Sequence, residues 1–147
     1  MRSDRLVITT IICIVAIIIA GFGLLLQVNE LAQEQHAVTA MKVEVESYAV
    51  NNSSVHVVLA LSNVTTDILG HIQADIYQLD ISKRAIVNQT ISGVDIIQFE
   101  LEEGQETLSF DIRTTIGTEQ YVVEMDLITK TMMKELPTMT IFKEESK

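Results

Sequence analysis

Residues 6–26, beginning at Leu6 and ending at Leu26, read LVITTIICIVAIIIAGFGLLL and contain no charged side chain and no proline. At about 1.5 Å of rise per residue such a run spans roughly 30 Å, the thickness of a bilayer's hydrocarbon core. Lipid offers the backbone no hydrogen-bond partner, so the run has to be helical. It predicts one transmembrane helix over 6–26. A secretory h-region is shorter, about 7–15 residues, and ends at small residues. Length therefore argues for a retained anchor, with cleavage near Ala20, Gly21 and Gly23 as the alternative. Cys13 sits mid-run with no lipobox before it and reads as a small apolar residue.

Flanking charge orients the helix. Arg2 and Arg5 precede it against Asp4, whereas Glu30 and Glu34 follow it with no Lys or Arg before Lys42. The positive-inside rule places residues 1–5 in the cytoplasm and the remainder outside the cell membrane. Residues 27–147 hold 8 Lys and Arg against 19 Asp and Glu, a balance of −11, while the first 26 residues contribute +1. So acidic a domain repels nucleic acid and anionic lipid headgroups, which argues against both as partners of the outer part. Its surface suits cations or basic proteins, or simply solvation. The only cysteine lies in the anchor, so the outer domain has no disulfide and must rely on its core.

Residues 27–39 keep a helical spacing through Val28, Leu31 and Ala32, predicting a short juxtamembrane stalk. From Ala40 the period becomes two. Met41, Val43 and Val45 fall on one face, then Val55, Val57, Leu59 and Leu61, then Ile72, Ala74 and Ile76. A short strand over 85–91 and another over 94–101 follow, separated at Ser92-Gly93. Beyond the turn at Glu102-Glu103-Gly104-Gln105 come Leu108, Phe110 and Ile112, a turn around Gly117, then Tyr121, Val123, Met125 and Leu127. Pro137 confines the last segment, 132–142, to an edge or bulge. Residues 143–147 read as a flexible charged tail. The prediction is a mainly β protein: one transmembrane helix, then a 7–8-stranded Ig-like antiparallel β-sandwich over 40–142.

Several segments carry a likeness. Val57-x-Leu59-x-Leu61-Ser62-Asn63, Ile72-x-Ala74-x-Ile76-Tyr77, the Glu102-Glu103-Gly104-Gln105 turn before Leu108-Ser109-Phe110-Asp111, and Tyr121-x-Val123-x-Met125 are similar to the fibronectin-III/CARDB-type Ig-fold modules of archaeal and bacterial surface proteins. The resemblance covers roughly residues 40–142. It implies the fold and an adhesive or accessory role, and it carries over no functional residues.

Motifs for chemistry are sparse. His56 and His71 fall on outward positions of successive strands, and if those strands pair, the two imidazoles approach as metal ligands with Asp75 or Glu124. No ligand spacing accompanies them, and a blue-copper centre lacks its cysteine. Met132, Met133 and Met139 read as core or edge filling rather than copper ligands. There is no nucleophile motif and no phosphate loop, and adjacent Glu102 and Glu103 are not an acid/base pair. The chain reads as a non-enzyme without cofactor. Asn51, Asn52, Asn63 and Asn88, four of the five asparagines, open N-x-Ser/Thr sequons and are candidate glycosylation acceptors on the outer side. The alternative is that Asn, Ser and Thr gather in turns.

The edge of the sandwich adds a candidate contact. In the VDIIQF segment over 94–99 only Asp95 is charged, and Ile96 and Ile97 put an aliphatic side chain on each face. One of the two is expected at a protein contact, by edge pairing or apolar burial. Three functions compete. The first is an anchored Ig-like interaction or accessory subunit of a cell-envelope or membrane complex, pairing with another membrane protein or with itself. The others are a metal-handling or assembly factor built on His56, His71 and the methionines, and an anchored part of an archaeal filament or motor.

Overall fold

The computed structural model describes residues 2–82, 85–115 and 120–141, with side chains over 7–79, 93–115 and 120–141. Lys83, Arg84, the turn expected around Gly117 and the tail over 143–147 lie outside the described residues. One helix, α1, runs unbroken from Arg2 to Ala40. Its portion Val7–Ala40 is long and apolar enough to cross a membrane, and none of its apolar stretch is buried. The chain divides into two compact units, Met1–Gln33 and Glu34–Lys147. The first unit is helix alone.

The second unit joins the end of α1 to eight strands: β1 (Lys42–Val50), β2 (Ser54–Ser62), β3 (Ile68–Ser82), β4 (Ala85–Leu101), β5 (Thr107–Arg113), β6 (Gln120–Thr129), β7 (Met133–Glu135) and β8 (Met139–Ile141). They form two antiparallel sheets, β1-β2-β5 and β4-β3-β6-β7, with β8 also paired to β6. Inward residues of both sheets merge into one core. The predicted alternation places them: Val55, Val57, Leu59 and Leu61 on β2, Ile72, Ala74 and Ile76 on β3, and Tyr121, Val123, Met125 and Leu127 on β6 are all buried. This is the Ig-like sandwich that a period of two over short apolar runs dictates, because alternate side chains leave a strand on opposite faces.

Three local expectations need correction. The separate strands expected over 85–91 and 94–101 are one strand, β4; a register shift between Ile76 and Tyr77 on β3, opposite Gly93 and Ile91, absorbs the extra residue without ending the pairing. Pro137 lies between β7 and β8, so the last segment pairs with β6 as two three-residue pieces. The stalk expected over 27–39 continues α1, as its helical spacing says, but its end is not free. Ala37, Val38 and Met41, spaced to share one side of the helix end, are buried in the sandwich core.

Both open sides of the sandwich are bridged. On one, the Tyr48 hydroxyl of β1 donates to the Thr140 carbonyl of β8 at 3.1 Å. On the other, Arg113 of β5 meets Asp95 of β4. Gly70 of β3 is required by a close approach: a Cβ there meets the Ile128 carbonyl oxygen at 2.3 Å. Any side chain at that position pushes β6 away.

Candidate functional site

The end of α1 is held in the β unit by several hydrogen bonds. A helix leaves its last four carbonyls without helical partners. Here the Ala37 carbonyl accepts from the Met41 amide at 2.9 Å. The Lys134 ammonium, arriving from β7, donates to the Val38 carbonyl at 2.8 Å and the Thr39 carbonyl at 3.2 Å, and also to the Met41 carbonyl. The Asn63 side-chain amide donates to the Ala40 carbonyl at 3.1 Å. Asn63 holds φ at 64°, a left-handed conformation that asparagine tolerates better than most residues. Farther back, Thr131 donates to the Glu34 carboxylate at 3.1 Å. The last turn of α1 has no basic residue of its own, so Lys134 supplies the cation that complements the helix dipole. Burial lowers the Lys134 ammonium below the usual lysine value.

The candidate metal ligands do not meet. β2 belongs to the three-stranded sheet and β3 to the five-stranded one, so His56 and His71 point from opposite outer faces of the sandwich. The proposed pair therefore fails, because successive strands here change sheet instead of pairing. His56 instead shares a 2.8 Å hydrogen bond with Asp111, its register partner on β5. Among the described residues no group of three His, Cys, Asp or Glu side chains is arranged to hold a metal ion.

The sequons divide by environment. Asn51 and Asn52 are exposed in the β1–β2 turn. Asn63 is exposed as a residue, but its amide is engaged at the helix end. Asn88 pairs with Asp80 in the long β3–β4 hairpin, and its side chain lies outside those described.

β4 separates the two isoleucines. Ile97 faces inward, half-buried against the core, while Ile96 faces out and is 53% exposed beside Val94. Asp95 also points inward and is 8% exposed. It accepts from the Arg113 backbone N–H at 2.8 Å and from the Arg113 guanidinium at 3.2 Å, and from the Ile96 N–H at 3.0 Å. The one charge of the 94–99 segment thus turns inward, and its carboxylate occupies the Ile96 N–H.

Outward positions of the five-stranded sheet carry a second feature. Asp75 of β3 lies directly opposite Glu124 of β6, and Asp126 of β6 directly opposite Glu135 of β7. Gln73 donates to Asp75 at 3.2 Å. Burial, then the Glu135 and Asp75 charges, raise the Asp126 carboxyl above the usual aspartate value. Burial, then Glu124, Asp75 and Asp126, raise the Tyr77 hydroxyl. Asp95 moves the other way: burial by itself raises it, but the backbone and side-chain hydrogen bonds from Arg113 and the Arg113 charge bring it below the usual value.

These shifts fix a pH dependence. Because Asp126 binds its proton more tightly when folded, its ionisation costs stability above its folded pKa, and acidification through the carboxylate range removes that cost. Asp95 contributes stability above its unfolded pKa and loses it as pH falls through its folded one. Asp126→Asn should therefore raise the melting temperature at about pH 7 and lose that advantage near pH 3, whereas Asp95→Asn should lower it at about pH 7. Thermal melts of the full chain in detergent at both pH values check this; a lower midpoint for Asp126→Asn at neutral pH contradicts it.

No family model matches the chain, and no curated protein sequence matches it. Solved structures that match include a β-glucosidase from Kluyveromyces marxianus in complex with glucose, at 13% identity and a TM-score of 0.44, covering 72% of this chain and 14% of that one. The sporulation control protein Spo0M from Bacillus subtilis matches at 13% identity and a TM-score of 0.42, over 72% of this chain and 49% of that one. The outer membrane decaheme cytochrome OmcA matches at 12% identity and a TM-score of 0.40, over 68% and 22%. The chain thus spans less than half the length of each of these proteins.

Proposed function

We propose that the chain is a single-pass membrane protein with a cytoplasmic N-terminus and an extracytoplasmic Ig-like domain, a non-catalytic interaction or accessory subunit of a cell-envelope or membrane complex. The observation that carries this reading is the end of α1. Ala37 and Val38, at that end, belong to the core of the β unit, and Lys134 and Asn63 bind the last carbonyls of the helix. A domain meant to reach for distant ligands is usually hung on a flexible linker. Here the residues that lead into β1, Ala37, Val38 and Met41, are part of the β unit's own core, as suits a subunit of an assembly. The strand order supports the likeness to fibronectin-III/CARDB-type modules: β4 pairs with β3, whereas the constant-type Ig order puts the fourth strand in the sheet of the first, second and fifth. On this topology the exposed Asn51 and Asn52 are candidate glycan acceptors.

Cysteine labelling tests the topology. With Cys13 replaced by alanine, Ser53→Cys should react with an impermeant thiol reagent in intact cells and Ser3→Cys only after lysis. Labelling of Ser3→Cys in intact cells reverses the orientation and removes the reading.

A further inference from the structure

We propose that the outward face of the five-stranded sheet docks a lysine- or arginine-rich extended segment of a partner protein, whose cations meet Asp75, Glu124, Asp126 and Glu135 and whose apolar side chains cover Val94 and Ile96. This rests on the interaction-subunit reading above and names the surface and the chemistry of its partner.

The charge pattern carries the inference. Directly opposed residues on neighbouring strands have Cβ atoms about 4.5–5.5 Å apart, and like charges so placed destabilise a sheet. Two neighbouring rows of this face do that: Asp75 opposes Glu124, and Asp126 opposes Glu135. Among the described side chains, no lysine or arginine stands at an outward position of β3, β4, β6 or β7 to balance them; Lys134 of β7 is spent on the helix carbonyls. The other outer face opposes no two carboxylates. There Asp111 is bonded to His56, and Glu44 lies opposite Ala60. Directly opposed carboxylates among the described residues are thus confined to one face, where burial and then the Glu135 and Asp75 charges raise the Asp126 carboxyl.

The same two rows end in apolar residues on β4. Val94 lies opposite Asp75, and Ile96 opposite Gln73, which is itself opposite Asp126. Both aliphatic side chains are 53% exposed. A segment with alternating cations and apolar residues answers both parts of this surface, and charge complementarity steers its approach. It lies across the face; addition along the β4 edge has to displace the bond from the Ile96 N–H to Asp95. A second copy of this acidic face does not supply the missing cations.

The test uses the full chain in nanodiscs of zwitterionic lipid, titrated with a fluorescent peptide of alternating lysine and valine. An alternating glutamate and valine peptide is the control. The cationic peptide should bind saturably and the anionic one should not. Asp126→Asn combined with Glu135→Gln should weaken binding at least about tenfold, and Ile96→Ser severalfold, while Glu44→Gln combined with Asp111→Asn changes it less than about twofold. Equal losses from both pairs, or no effect of Ile96→Ser, means general attraction to an acidic protein and overturns the proposal. A photocrosslinking residue at Ile96 or at Ser109, on the opposite face, then separates this surface from the broader reading in native membranes. Crosslinks from position 96 to a basic segment support the proposal. Crosslinks to protein from 109 alone, or from 96 to a second copy, overturn it and leave the interaction reading standing; crosslinks from neither overturn both.

Discussion

Truncating Phe110 to alanine is expected to cost the β unit about 3–5 kcal/mol, the range for removing a buried aromatic ring whose site cannot fully collapse. Phe110 is 7% exposed on β5, opposite Val57, within the core that both sheets share. Nothing covalent holds the sheets together, because the only cysteine, Cys13, lies in α1. With domain stabilities of about 5–15 kcal/mol, a loss of this size removes a large part of the total. Exposed Glu44→Ala should change stability by less than about 0.5 kcal/mol. Denaturant midpoints of the β signal in far-ultraviolet circular dichroism compare the two variants. Similar midpoints count against the register of β2 and β5.

Replacing Lys134 by methionine should cost about 2–3 kcal/mol, because hydrogen bonds from a charged donor are each worth more than neutral ones and partly buried carbonyls lose their partner. Methionine keeps most of the apolar stem and removes only the ammonium, so lost packing contributes little. The Val38, Thr39 and Met41 carbonyls are then left to whatever water reaches them. Lys130→Met, at an exposed position in the β6–β7 turn, is the control and should be nearly neutral. Hydrogen exchange localises the effect: amides over 37–41 should exchange faster in Lys134→Met and unchanged in Lys130→Met. Unchanged exchange over 37–41 in Lys134→Met removes the lysine cap as the element that holds the helix end.

Which residues face inward was legible because it is a local property. Val55, Val57, Leu59 and Leu61, or Tyr121, Val123, Met125 and Leu127, alternate within a single strand, and a strand's geometry turns that period directly into faces. The uncharged run over 6–26 had to be helical for an equally local reason, since in an apolar medium it can satisfy its backbone only internally. What faces what was not legible. His56 and His71 occupy outward positions as their alternation says, but a change of sheet between β2 and β3 puts the thickness of the sandwich between them. Asp95 reads as a lone charge in an apolar strand until β5 brings Arg113 to it. Opposed carboxylates such as Asp75 and Glu124 are 49 positions apart and meet only through register. The end of α1 shows the limit most clearly. By itself the sequence determined an apolar helix and a set of alternating strands, but no basic residue in the last turn of α1 marks where the helix stops. Lys134 and Asn63 end it from distant strands and loops, and only the tertiary structure decided that, because a carbonyl can be capped by any donor the fold carries to it, wherever that donor lies in the chain.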